Sequence, residues 1–163
     1  MGIGFVRTDD RFIHGQVTVG WVRKAGTQKI VLVNDGIAKN TTIQKLQRMS
    51  AGPGVDVVFL TEQQAVEKLE SGEGFGPERA FLLIENPVDL LTLVRAGLEI
   101  DEVNLGNLRF EPGKRKITNW IFVNDDQLAA LKELDERGIA LIAQWVIGED
   151  SVNVNAWLEK HAD

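Results

Sequence analysis

Short runs rich in Val and Ile alternate along this chain with stretches of helical spacing, and that alternation limits the fold more than any other feature. Ile3 to Val6, Ile30 to Val33, Val55 to Leu60, Ala80 to Ile84, Val103 to Leu105, Ile117 to Val123 and Ile139 to Ile147 read as strands. Strands separated by helices form a mostly parallel sheet covered on both faces. The expectation is an α/β fold: a single doubly wound, mostly parallel sheet of about seven strands with helices on both faces. Gly106 to Lys116 is too short for a crossover helix, so an antiparallel strand is expected near the C-terminus. With 163 residues, the chain reads as one domain spanning residues 1–163.

Helix boundaries carry their own chemistry. Val17, Trp21 and Val22 share a face in Gly15 to Ala25, and Ile43, Leu46 and Met49 share one in the second helical stretch. Thr61 and Gln64 have the spacing of a capping box for a helix through Leu69. Pro87 suits the first turn of a helix running to Arg95, which Gly97 stops. Asn124 or Asp125 caps a helix carrying Leu128, Leu131 and Leu134, ended by Gly138. Asn40-Thr41-Thr42 reads as a helix start. Ser151 to His161 reads as a final amphipathic helix, with His161 in solvent and Trp120, Trp145 and Trp157 as packing residues.

Composition removes several functions. The chain contains no Cys, which excludes disulfides, Cys-based zinc sites and thiol nucleophiles, and leaves His14 and His161 as its imidazoles. A net charge of -6 argues against nucleic acid, whose phosphates require clustered positive charge. No apolar run is long enough to span a membrane, and the first twenty residues carry Asp9, Asp10 and two Arg in place of a signal-peptide core. A cytoplasmic location is expected.

The densest chemistry lies where the first strand hands over to the first helix: Arg7-Thr8-Asp9-Asp10-Arg11-Phe12-Ile13-His14-Gly15-Gln16-Val17. In open parallel sheets, ligands collect at the carboxyl ends of the strands. Two Arg, two Asp and a His suit phosphoryl transfer. A neutral imidazole can attack phosphorus, an Asp can orient it through the other ring nitrogen, and Arg can balance charge on the phosphoryl oxygens. Gly15 and Gln16 open the following helix, whose free N–H groups favour phosphate. A solvated ion-pair loop is the plainer reading of the same charges. Phe12 and Ile13 interrupt the polar run either as a surface that docks partner proteins or as core plugs. Asn34-Asp35-Gly36 reads as a turn or as pocket lining on the same edge, and Glu85 and Asn86 share that ambiguity.

The segment Arg7 to Val17 closely resembles the phosphorylation-site signature of the IIB subunit of the mannose, fructose and sorbose family of the bacterial sugar phosphotransferase system. Val33-Asn34-Asp35, Asn104-Leu105-Gly106, Gly113-Lys114, and Asp126 through Leu134 to Gly138-Ile139 resemble later landmarks of that family, so nearly the whole chain is covered. The resemblance implies a IIB phosphotransferase component with His14 as phosphoryl acceptor and Arg11 as the closest phosphate ligand. It also implies that Arg7, Asp9 and Asp10 shape the loop, with Asp10 counted beside His14 and Arg11 in the catalytic group. The implied partners are a IIA phosphocarrier that donates from a phosphohistidine and membrane IIC and IID subunits that hold the sugar. Neither metal nor cofactor is implied, and a homodimer is compatible. Two features depart from the family: Gly106-Asn107 replaces two consecutive Gly, and Ile142-Ala143-Gln144-Trp145 replaces an Arg-rich last strand. A regulatory phosphoprotein of the same fold would need the same loop. A nucleotide-binding domain would need a phosphate-cradling Gly loop, which is missing, since six residues separate Gly106 from Gly113 where the Walker spacing allows four.

Overall fold

In the computed structural model, which describes residues 3–162, the chain runs as β1 (Ile3–Thr8), α1 (Gly15–Ala25), β2 (Lys29–Val33), α2 (Asp35–Ala38) and α3 (Thr41–Ala51). It continues as β3 (Asp56–Leu60), α4 (Glu62–Glu70), β4 (Ala80–Ile84), α5 (Pro87–Arg95), β5 (Glu102–Leu105), β6 (Arg115–Thr118) and β7 (Ile121–Val123). The last elements are α6 (Asp125–Glu136), β8 (Ala140–Ala143), β9 (Val152–Asn153) and α7 (Val154–Lys160). Residues 1, 2 and 163 lie outside the described part.

Seven strands form one sheet in the order β3-β2-β4-β1-β5-β8-β9, parallel except for β9. The expected α/β class is therefore present, with the expected antiparallel strand near the C-terminus. Ile117 to Val123 is no single strand. It belongs to a separate antiparallel hairpin of β6 and β7, and the antiparallel member of the main sheet is β9. The two residues of β9 are too few for a hydrophobic pattern to reveal. Ile139 to Ile147 is likewise shorter as a strand, because the chain turns away after Ala143.

Strand alternation sends successive side chains to opposite faces, and the two cores follow that parity. Val31, Val33, Leu82 and Ile84 face α4, α5 and α6 through Ala65, Leu90, Leu93 and Leu131. Ile30, Leu32, Phe81 and Leu83 face α1, α2 and α3 through Trp21, Val22, Ile37 and Ala51. β4 is buried along its whole length, as a central parallel strand must be.

Caps end the helices as their side-chain chemistry requires. Thr61 with Gln64 and Asn124 with Gln127 form capping boxes, Asn86 accepts from Val88 and Asp89 N–H ahead of Pro87, and Asn40 caps α3. One helix departs from its pattern. Ile43, Leu46 and Met49 of α3 are exposed at 38%, 57% and 77%. Polar neighbours instead serve unpaired backbone groups: Gln47 Oε1 accepts from Ile13 N–H at 2.8 Å, and Gln44 Nε2 donates to the Ile37 carbonyl at 2.9 Å. A buried backbone donor without a partner costs about 1–3 kcal/mol, which is reason enough for glutamines to hold these places. The C-terminal helix begins only at Val154, and His161 is not free in solvent. It stacks on Trp157 with centroids 4.2 Å apart.

Candidate active site

β1 occupies the middle of the sheet, between β4 and β5, so the loop at its carboxyl end emerges where neighbouring loops can converge on it. Arg7 is the last inward side chain but one of that strand, paired in register with Asn104 of β5. It is fully buried. Its Nη1 donates to Asn104 Oδ1 and, at 3.0 Å, to the Gln144 carbonyl. Its Nη2 donates to Asp9 Oδ2 at 3.0 Å and to the Trp145 carbonyl at 3.1 Å, while the guanidinium lies over the Trp21 ring at 5.2 Å. Burial lowers the Arg7 pKa from its usual value, and the Asp9 charge and hydrogen bond pull it back up. Arg7 is thus a structural bolt, tying β1 to the segment that follows β8.

Asp9, also fully buried, divides its two oxygens. Oδ2 holds Arg7, and Oδ1 accepts from the Arg11 backbone N–H at 3.0 Å, which closes the loop. Asp10 points the other way. Its Oδ1 accepts from Asn107 Nδ2 at 2.6 Å, and its Oδ2 accepts from Arg109 N–H at 2.8 Å and faces Arg109 Nε at 3.2 Å. Gly106 sits against this junction. A Cβ there would meet Arg7 Nη2 at 2.6 Å and the Thr8 carbonyl at 2.7 Å, so no side chain fits.

The turn itself is made by Phe12 at φ 59°, a left-handed conformation that costs a residue with a side chain about 1–3 kcal/mol. Ile13 then drops into the second core at 3% exposure. The docking role for Ile13 is therefore corrected. It is the plug that anchors the loop, because a branched apolar side chain gains more from the core than from the edge. Phe12 packs, partly buried, against the same core.

His14 is left exposed at the start of α1, with Gly15 and Gln16 exposed beside it. Its backbone N–H donates to Thr18 Oγ1 at 2.7 Å. Its ring Nε2 lies 3.3 Å from Arg11 Nη1. A guanidinium can only donate, so this contact uses a lone pair on Nε2 and places the proton of the neutral ring on Nδ1. Among the described residues no Asp hydrogen-bonds the ring, which corrects the expectation that a carboxylate orients it. Both loop carboxylates are already engaged, by Arg7 and by the Asn107 and Arg109 segment. Asp10 shapes the loop and does not touch His14.

Arg11 rests its guanidinium over the Trp145 ring at 4.8 Å. Trp145, read from sequence as a packing residue, is half-buried at the rim of the site, just past the carboxyl end of β8. The rule that points to the end of β1 points equally to the end of β8, and Trp145 was legible by it. Asn104, a polar residue inside a buried strand, carried a comparable signal of a buried partner. Gln47 carried none. Asn34 and Asp35 do not join His14 in this network. Asn34 caps α2 through Ile37 N–H and donates to Glu85 Oε2 at 2.9 Å, and Asp35 Oδ1 accepts from Glu62 N–H at 2.8 Å. Both serve helix starts, since the helix ends beside them have backbone donors to satisfy.

Fold and site together define an α/β domain of the class that presents a histidine, under an arginine, at the carboxyl edge of a parallel sheet. The chain belongs to the family described as PTS system sorbose subfamily IIB component, which it matches over residues 3–163. It is 35% identical over 154 residues to the PTS system sorbose-specific EIIB component of Klebsiella pneumoniae, covering 94% of this chain and 93% of that one. It is 35% identical over 141 residues to the PTS system mannose-specific EIIAB component of Escherichia coli K12, covering 86% of this chain and 43% of that longer protein. The crystal structure of the IIBSor domain of the sorbose permease from Klebsiella pneumoniae superposes with a TM-score of 0.88 at 34% identity, covering 98% of each chain. The chain is thus a phosphotransferase-system IIB component, a transferase of sugar uptake. No helix among the described residues is long and apolar enough to cross a membrane.

Proposed function

We propose that His14 carries the phosphoryl group, receiving it from a phosphohistidine on a IIA protein and passing it to a sugar held by membrane IIC and IID subunits. The observation that carries this reading is the placement of an exposed imidazole 3.3 Å from the Nη1 of an arginine, with both nearby carboxylates committed elsewhere. In the first step an unprotonated ring nitrogen of His14 attacks phosphorus. The N–P bond of the donor breaks, and its electron pair returns to the donor imidazole. In the second step a sugar hydroxyl attacks the same phosphorus, releases its proton, and the His14 ring recovers its electron pair. Such a transition state is loose, and charge gathers on the three equatorial oxygens. Arg11 is placed to balance that charge, and Gly15 and Gln16 offer backbone N–H groups at the positive end of α1.

The exposed position of His14 suits contact with two proteins in turn. The groove between α1 and α3, lined by Gly15, Gln16, Val19 and Met49, does not include His14. Sugar selection belongs to the membrane subunits in this reading, and the isolated chain binds no free sugar. It works in the cytoplasm and meets the membrane through those partners.

Mass spectrometry of the protein incubated with phosphoenolpyruvate, Mg²⁺, the general phosphocarrier proteins and a mannose-type IIA provides the test. One acid-labile, base-stable phosphoryl group on the wild type and none on His14→Ala is the expected result. An acid-labile phosphoryl group that persists on His14→Ala would remove His14 from the role.

A further inference from the structure

Arg11 is held in an unusual way for a catalytic arginine. Its backbone N–H is pinned by Asp9, but among the described residues no carboxylate hydrogen-bonds its guanidinium, and Asp9 Oδ1 stands 3.9 Å from Nε. Nε and Nη2 are covered from solvent and make no hydrogen bond among the described residues. What supports the guanidinium is the flat face of Trp145. Trp145 is itself fixed by its backbone. Its carbonyl accepts from Arg7 Nη2 at 3.1 Å and from Trp21 Nε1 at 2.9 Å. The buried Arg7 therefore sets the height of a platform on which the second arginine of the loop lies.

A stacked cation differs from a hydrogen-bonded one in a way that matters for group transfer. The attraction of a cation to a ring face is broad, so the guanidinium can shift in its own plane at little cost. A fork pairing to a carboxylate would occupy the same N–H groups that a phosphoryl group needs, and would have to break first. We infer that Trp145 is a positioning residue for the phosphoryl transfer: its ring parks Arg11 beside His14 with no carboxylate fork to break, so that the guanidinium can turn its N–H groups to the phosphoryl oxygens. This rests on His14 being the phosphoryl carrier.

Two measurements test it separately from that reading. In the unphosphorylated protein, the Arg11 side-chain protons should show upfield ring-current shifts by NMR, retained in Trp145→Phe and lost in Trp145→Leu. With phosphorylated IIA as donor, Trp145→Leu should lower kcat about tenfold while the KM for the donor moves by less than about twofold. Trp145→Phe should keep most of the rate, since it restores a ring face. In an Arg11→Ala background the Trp145→Leu change should have no further effect. Unshifted Arg11 protons in the wild type, equal losses for Phe and Leu, or a Trp145→Leu effect that survives without Arg11 would each overturn the inference. Failure of the wild type to accept a phosphoryl group on His14 would instead defeat the carrier reading, with the NMR result still standing.

Discussion

At the carboxyl end of β1, Arg7 and Asp9 are buried and pair with each other, Arg7 donating as well to the Gln144 and Trp145 carbonyls and Asp9 accepting from Arg11 N–H. Farther along the same edge, Asp35, Glu62, Glu85 and Asp89 gather around the capped starts of α2, α4 and α5. The groups that shift Asp89 there are all acidic. Burial comes first, then the charges of Glu62 and Glu85, a hydrogen bond with Glu62, and the charge of Asp35, and together they push Asp89 up to about 7. The difference teaches that depth alone does not decide whether a group keeps its charge. Asp9 pulls the deeply buried Arg7 back toward its charged form, whereas a shallower carboxylate among its own kind is pushed toward its protonated form.

The comparison breaks most severely if Arg7 is removed. Arg7→Met leaves Asp9 buried without its cation and strips the Gln144 and Trp145 carbonyls of a donor. A loss of about 3–5 kcal/mol of unfolding free energy is expected, of the size found when one partner of a buried pair is deleted. Adding Asp9→Asn should recover part of it, because the amide keeps an acceptor for Arg11 N–H without the stranded charge. Denaturant titration of the three proteins measures both changes, and a single variant as stable as wild type would show that Asp9 needs no counter-ion.

Gly106→Ala tests the same junction sterically. Its Cβ would press on a backbone carbonyl as well as on Arg7, so a loss of about 1–3 kcal/mol follows from overpacking. Unchanged thermal stability would mean that the loop yields more readily than its hydrogen bonds imply.

Arg11→Lys tests the exposed end of the network. An ammonium cannot offer the planar fork of a guanidinium, and phosphoryl transfer should slow at least about tenfold, equivalent to about 1.4 kcal/mol of barrier, with stability little changed. Equal rates for the two cations in rapid-quench transfer assays would remove Arg11 from the transition state.

The smallest effect sharpens the acidic side. Because Asp89 has a raised folded-state pKa, its contribution to stability is fully present below its unfolded value of about 3.8 and is lost as pH rises through about 7. Asp89→Asn should flatten that fall, so its Tm should gain on the wild type as pH rises across this interval. Parallel Tm curves for the two proteins would show that Asp89 ionises normally.

Much of this was legible in the order of residues. The alternation of apolar runs with helical stretches determined the parallel α/β sheet, because each period matches one kind of backbone. The cluster from Arg7 to Gly15 marked the candidate site at the carboxyl edge of the sheet, because strand ends in such sheets are where polar side chains can meet. Local spacing also determined the caps at Thr61 and Asn124 and the place of Pro87 in the first turn of α5, which depend on contacts within one turn.

Tertiary structure alone decided which charges of the cluster lie beside His14. Arg7 and Asp9 disappear into the interior, Asp10 turns to the loop after β5, and Ile13 plugs the core, while Arg11 stays beside His14. Those assignments rest on partners far away in sequence: Asn104, Asn107, Gln144 and Trp145 for the loop, and Gln47 for Ile13 N–H. The same holds for α3, whose apolar Leu46 and Met49 stay mostly exposed, and for β9, whose two residues form a strand only because β8 offers an edge. A residue's type sets what it can bond, but burial and hydrogen bonding are settled between elements, where the satisfaction of one backbone group can outweigh the pattern of a whole helix.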